Sequence, residues 1–175
     1  IADFKNGVGH EQSISVDGFY IVVNSKFIST NGEVKKHCEN QLSELKKGDI
    51  VLVMSDIPNG KAIAKTFLID SDNKYSLNQR ICRLRVKEDC SNKYYHYIIN
   101  RNRYFLKFDD GVSQTNLRKN EVLQCPLPLP PLSEQQKIAQ ILSTWDAGIA
   151  TLQQLIAAKQ QHKKGLMQSL FPSGD

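Results

Sequence analysis

The chain has 175 residues, 23 Lys and Arg against 18 Asp and Glu, and an apolar content of 40%. That length holds one ordinary domain plus an appendage, and the apolar fraction suffices for a packed core, which excludes a disordered tail. The positive balance favours a polyanionic partner, and the lack of a secretory leader or of an apolar run near ~20 residues makes the cytoplasm the expected location, with no membrane partner.

The chain opens on Ile1, and Ile-Ala-Asp-Phe-Lys-Asn-Gly reads as mid-domain sequence, so a piece of a longer polypeptide is expected. Gly7-Val8-Gly9 lacks a preceding apolar strand and a third glycine, which argues against a dinucleotide or S-adenosylmethionine loop. Tyr20 to Val23, Ile50 to Met54 and Ala62 to Ile69 are strand-rich runs. Asn31-Gly32, Lys47-Gly48-Asp49, Pro58-Asn59-Gly60 and Asp110-Gly111 punctuate them as turns. Tyr94 to Phe108 suits a short helix followed by a turn. Residues 1–125 are therefore predicted to form a mixed α/β (α+β) globular domain.

Glu33-Val34-Lys35 with the upstream Asp17 has the acid-x-Lys form that binds a divalent metal and activates water in nucleases. A three-residue pattern is weak, and Asn31-Gly32 places it on a turn rather than a central strand, so a solvated loop is the favoured reading. No Asn-Pro-Pro-aromatic motif of the kind that grips a target amine in amino-methyltransferases is present. His10, His37, His96 and His162 have no neighbouring nucleophile in a recognisable motif, and none is nominated as catalytic. Cys38, Cys82, Cys90 and Cys125 form no CxxC pair and no zinc-ligand spacing, and are expected to be reduced, mostly buried thiols.

Between Lys74 and Lys107 nine basic residues face only two acidic ones, Glu88 and Asp89. Lys and Arg here are interleaved with Tyr94, Tyr95, Tyr97, Tyr104, Asn100 and Asn102, and Gln114 and Asn116 follow. Such a stretch supplies phosphate charges and base-edge hydrogen bonds together. Composition alone fits equally a solvated face whose tyrosines are core.

At Cys125 the character changes. Pro126-Leu127-Pro128-Leu129-Pro130-Pro131 cannot be helical and predicts a stiff extended connector over 126–132. Ser133 with Gln136 three residues on has the capping-box form, so a helix is predicted over 133–171, ended by Pro172 and Gly174. Ile138, Leu142, Trp145, Ile149, Leu152 and Ile156 recur at alternating four- and three-residue steps, which is heptad spacing; Lys159 and Lys163 interrupt the seam before Leu166 and Leu170. About 37 helical residues span roughly 55 Å, too long for the small domain to cover. Gly148 and Gly165 weaken the helix by about 1 kcal/mol each, so packing against a partner is needed and a coiled coil is expected.

The run from Pro126 through Leu132-Ser133-Glu134-Gln135-Gln136-Lys137-Ile138 into Ile141-Leu142 and Trp145-Asp146 resembles the proximal end of the conserved helical region in type I restriction-modification specificity subunits. Gln161-His162-Lys163-Lys164-Gly165-Leu166-Met167-Gln168 is similar to its distal end. Lys47-Gly48-Asp49-Ile50-Val51, Asn59-Gly60-Lys61-Ala62-Ile63-Ala64 and Tyr75-Ser76-Leu77-Asn78-Gln79 are similar to the family's target-recognition domain. The resemblance implies a non-catalytic module in which 1–125 reads one half of a bipartite site in double-stranded DNA. It implies that the helix dimerises and docks methyltransferase (modification) subunits, with the restriction subunit joining through the complex. It also implies no cofactor in this chain; S-adenosylmethionine, ATP and magnesium belong to the partner subunits. Family subunits carry two recognition domains and two such helices, whereas this chain has one of each, so half a subunit acting as an antiparallel homodimer is expected.

Base-contacting positions vary too much in the family to be transferred. Candidates chosen from charge and chemistry are Lys26, Lys35, Lys36, Lys61, Lys65, Arg80, Arg101, Asn102, Arg103, Gln114, Asn116 and Arg118. Candidates for the helical interface are Ile138, Leu142, Trp145, Ile149, Leu152, Ile156, Leu166 and Leu170. The competing classes are a restriction or methylation enzyme fragment with a metal-dependent nuclease site in this chain, and an adaptor that binds only proteins.

Overall fold

In chain order the computed structural model contains β1 (Ala2–Asn6), β2 (Tyr20–Val23), α1 (Ser25–Ser29), β3 (His37–Cys38), β4 (Ile50–Val53), β5 (Ser55–Asp56), β6 (Thr66–Leu68), β7 (Tyr75–Leu77), β8 (Ile81–Val86), α2 (Asn92–Ile99), α3 (Arg103–Leu106), β9 (Thr115–Asn116), α4 (Lys119–Leu123) and α5 (Leu132–Leu170). The described residues are 2–57 and 60–170. Two units are distinguished, residues 1–136 and 137–175. The expected turn at Pro58-Asn59 and the expected helix end at Phe171, Pro172 and Gly174 lie outside the described residues.

The continuous apolar run Ile50-Val51-Leu52-Val53 reads as a strand buried on both faces. It becomes the interior strand β4 of a four-stranded antiparallel sheet ordered β1-β8-β4-β6. A three-stranded sheet, β3-β2-β7, pairs β2 antiparallel to β3 and parallel to β7. Val51, Val53 and Ile81 pack with Val23, Phe27, Leu45 and Leu77 in one core. Because side chains alternate along a strand, Ile50 and Leu84 point to the opposite face, where Tyr95, Ile99, Phe105 and Val122 line the same cavity.

Strand β8 explains what becomes of the basic stretch. Its alternation sends Arg83 and Arg85 to the same face as Ile81. Arg83, 8% exposed, is ion-paired with Asp3 of the edge strand β1. Arg85 forms a two-pronged pair with Asp49, Nε to Oδ1 at 2.7 Å and Nη2 to Oδ2 at 2.8 Å. Asp49 is 1% exposed and also accepts from the Lys46 backbone N–H at 2.8 Å. The hydrogen-bonded Asp49 carboxylate raises the Arg85 pKa above its ordinary value against the opposing effect of partial burial. Tyr94 and Tyr95 are core residues. The stretch is thus not one continuous cationic surface: two of its arginines neutralise carboxylates inside the fold.

Removing one partner of a buried, hydrogen-bonded ion pair costs about 3 to 5 kcal/mol, and the partial exposure of Arg85 places this pair at the lower end. Asp49→Ala is therefore expected to lower the unfolding free energy of residues 1–136 by about 3 kcal/mol in urea titrations. A loss below about 1 kcal/mol would mean that solvent replaces the carboxylate at little cost.

Several local expectations need correction. Residues 2–6 do form a strand ahead of Gly7, but an antiparallel edge strand paired with β8. A Cβ on Gly7 would overlap the Asn78 carbonyl, so Gly7 permits a close backbone approach. Helix α5 begins at Leu132, which makes Pro131 the residue at its cap; the Pro131 carbonyl accepts from Glu134 N–H at 2.9 Å and Gln135 N–H at 3.0 Å. Ser133 lies inside the first turn. The side chain that anchors this start is Gln135, which donates to Pro130 O at 2.8 Å and accepts from Ser91 N–H at 3.0 Å. Tyr94 Oη donates to Pro128 O at 3.2 Å, so the proline connector is tied to α2. Of the four free thiols only Cys38 and Cys82 are buried; Cys90 and Cys125 are half-buried. Burial pushes the pKa of Cys38, Cys82 and Cys125 upward, toward unreactive thiols. No helix of the described residues is long and apolar enough to cross a membrane.

Candidate nucleic-acid interface

Beyond its last residue, β4 continues through Met54 into β5, which pairs antiparallel with β9, Ser55 opposite Asn116 and Asp56 opposite Thr115. Met54 N–H donates to Arg80 O at 2.9 Å, and Met54 O accepts from Leu117 N–H at 2.7 Å. Segments distant in sequence meet here: the β7–β8 turn with Arg80, the β5–β9 ribbon with Gln114 and Asn116, and Arg118 just beyond it.

The Asp56 carboxylate gathers backbone donors from Ile57, Ala62 and Ile63. Oδ1 accepts from Ile57 N–H at 2.9 Å, and Oδ2 from Ala62 N–H at 2.7 Å and Ile63 N–H at 3.0 Å. A Cβ on Gly60 would collide with that carboxylate where it now stands, so a larger residue there would have to displace it. Three backbone donors direct the one negative charge of the ribbon inward. The loop then meets Arg101, whose Nη1 donates to Ile63 O at 3.2 Å and Lys61 O at 3.4 Å, and whose N–H donates to Ala64 O at 2.8 Å.

Three of the five left-handed non-glycine residues among the described residues lie here. Ala64, Arg80 and Arg101 have φ of 56°, 67° and 52°. The left-handed region costs a residue with a Cβ about 1 to 2 kcal/mol, and such residues cluster where a surface must be held in one shape. The chain reaches β9 through a loop closed by Asp109 and Asp110. Backbone hydrogen bonds from Ser113 and Val112 hold the Asp110 carboxyl below its ordinary range.

Lys61, Arg80, Gln114, Asn116 and Arg118 are exposed around this end of the sheet, with Arg101 half-buried among them. Asn102 has both ends of its amide occupied, accepting from Tyr104 N–H at 2.9 Å and donating to Ile98 O at 2.8 Å, which makes it the cap of α3. Arg103 is exposed on α3. Lys26, Lys35 and Lys36 lie on and after α1, beside the three-stranded sheet, and Lys65 Nζ donates to Ser29 O at 3.3 Å. The structure therefore gathers half of the sequence-chosen residues and separates the rest. It also adds Ser55 and Ile57, which carried no sequence signal because they follow directly on an apolar strand.

Asp17, Glu33 and Lys35 are exposed on irregular chain, and among the described residues no three His, Cys, Asp or Glu side chains are grouped to hold a metal ion. In α5, Leu142, Trp145, Ile149, Leu152, Ile156, Leu166 and Leu170 are between 36% and 69% exposed, while Ile138 is half-buried. Ile141 and Leu155 are exposed at 59% and 53%. They flank the seam and widen the apolar stripe to three columns.

The family model of the type I restriction modification DNA specificity domain matches residues 2–160, from β1 into the second half of α5. The chain belongs to this family. Among named relatives of this specificity domain, the type I restriction enzyme MjaVIII specificity subunit of Methanocaldococcus jannaschii is 28% identical over 183 residues, covering 99% of this chain and 41% of the relative. The putative specificity subunit S.HindORF215P of Haemophilus influenzae is 33% identical over 103 residues, 58% of this chain and 26% of that protein. The crystal structure of a type I restriction-modification S subunit from M. genitalium shares the fold with a TM-score of 0.66 and 20% identity, over 97% of this chain and 43% of that one. The specificity domain described here thus spans less than half the length of these relatives.

Proposed function

We propose that this chain is the DNA-recognition half of a type I specificity subunit, reading one half of a bipartite double-stranded target. It has no catalytic step of its own and works in the cytoplasm, where the DNA is. The observation that carries this reading is the family match across both the recognition domain and the helix. The cationic, amide-bearing surface around the β5–β9 ribbon supports it, because phosphate charges and base-edge groups stand together there. S-adenosylmethionine, ATP and magnesium serve the partner subunits.

Helix α5 supplies the assembly. Two copies pair antiparallel along the seam, and the resulting two-fold symmetry favours an inverted-repeat target. Three apolar columns exceed what a two-stranded seam covers, so the outer column at Ile141 and Leu155 suits docking of the modification subunits. Co-expression with cognate modification subunits is expected to give one stable complex in size-exclusion chromatography, with methylation appearing at a defined bipartite site. A chain that elutes alone, or a complex that methylates without sequence preference, overturns the reading.

A further inference from the structure

We propose that Gln114 is a specificity-determining residue that reads an adenine in the major groove, with Ser55 as its positioning residue and Ile57 against the neighbouring thymine methyl. This inference rests on the DNA-recognition reading above.

The ribbon has an inner and an outer face. Thr115 is buried and its hydroxyl donates to Asp109 Oδ1 at 2.9 Å, so by strand alternation Gln114 and Asn116 face outward. Gln114 does not dangle: its Nε2 donates to Ser55 Oγ at 2.7 Å. Ser55 is itself 7% exposed and sits on the strand opposite. One end of the amide is thereby fixed, while the same Nε2 donates its second hydrogen to Asn116 Oδ1 over an N···O distance of 3.4 Å, a contact weak enough to exchange for a ligand. The carbonyl Oε1 enters no hydrogen bond among the described residues.

A free carbonyl acceptor beside an exchangeable amide hydrogen is the complement of adenine, whose N6 amine donates and whose N7 accepts in the major groove. That groove admits a two-stranded ribbon. Ile57, the residue directly after β5 and 70% exposed, stands at the same end of the ribbon as Gln114, the residue directly before β9. An apolar side chain there meets the thymine methyl that accompanies adenine. Lys61, Arg80 and Arg101 flank the ribbon as phosphate-directed charges. The Asp109–Asp110 loop before β9 and the three left-handed residues hold it in one shape before DNA arrives.

The test is selection from a duplex library randomised over both half-sites, using the full chain assembled with its modification subunits. Wild type is expected to enrich a motif containing an A·T pair whose preference falls about tenfold to a hundredfold in Gln114→Ala. Gln114→Glu, which turns the amide donor into an acceptor, should shift that position toward cytosine, whose N4 amine donates. Ser55→Ala should blur the same position while leaving the others intact, which a general loss of stability would not do. Lys61→Ala, which removes an exposed charge, should weaken binding to all sequences and leave the motif unchanged. All four variants are compared at matched thermal unfolding, and Gln114 is exposed, so its replacements keep the fold. A motif without an A·T pair, or one whose A·T position survives Gln114→Ala, overturns the inference alone. A wild-type complex that enriches no motif overturns the recognition reading and this inference with it.

Discussion

Replacing both Ile149 and Leu152 of α5 with Asp is expected to convert a self-associated chain into a monomer. In the single chain these two residues are 51% and 59% exposed, within a stripe that also carries Trp145 at 69% and Ile156 at 56%. An isolated helix with two interior glycines has no local reason to remain folded with that surface in water. Each side chain of this size gains about 1.5 to 3 kcal/mol on full burial, and a two-fold pair counts every position twice. Because about half of each side chain is already covered in the single chain, loss of two anchors per chain removes about 3 to 6 kcal/mol, more than a hundredfold in dissociation constant, before charge repulsion across the seam is added. Light scattering at micromolar concentration reads this directly. A wild-type monomer with a folded helix defeats the proposal, as does a dimer indifferent to the double change.

DNA affinity should collapse with salt and with loss of the ribbon's cations. Lys61, Arg80, Arg101 and Arg118 supply four candidate phosphate contacts per chain, or eight in a two-fold pair. Each neutralised phosphate contributes about −0.9 to the slope of log affinity against log salt, so eight predict a slope near about −7 and a loss of roughly 10⁴-fold between 50 and 200 mM salt. Arg101→Ala together with Lys61→Ala should reduce the slope by about 4 in the pair, because two contacts vanish from each copy. Fluorescence anisotropy across a salt series measures both quantities. A slope unchanged by the double substitution would move the phosphate surface elsewhere, toward Lys26, Lys35 and Lys36.

The sequence by itself determined the features whose causes are local. Proline cannot continue a helix, so no helix runs through 126–131 and α5 begins only at Leu132. Heptad spacing fixes which side of α5 is apolar before any partner is known. Gly48 and Gly111, at φ of 88° and 70°, mark turns because few other residues accept that backbone. The buried strand β4 was legible from four apolar residues in a row. Strand β8 was not, since Ile-Cys-Arg-Leu-Arg-Val looks charged until Asp3 and Asp49 neutralise its arginines from 80 and 36 residues away. The same cause hid the candidate interface. Gln114 gains its orientation from Ser55, 59 positions earlier, and Arg101 its place from carbonyls 38 to 40 positions earlier. Charge and amide chemistry nominate residues one at a time, but only strand pairing decides which of them share a surface and which are used to hold the fold together.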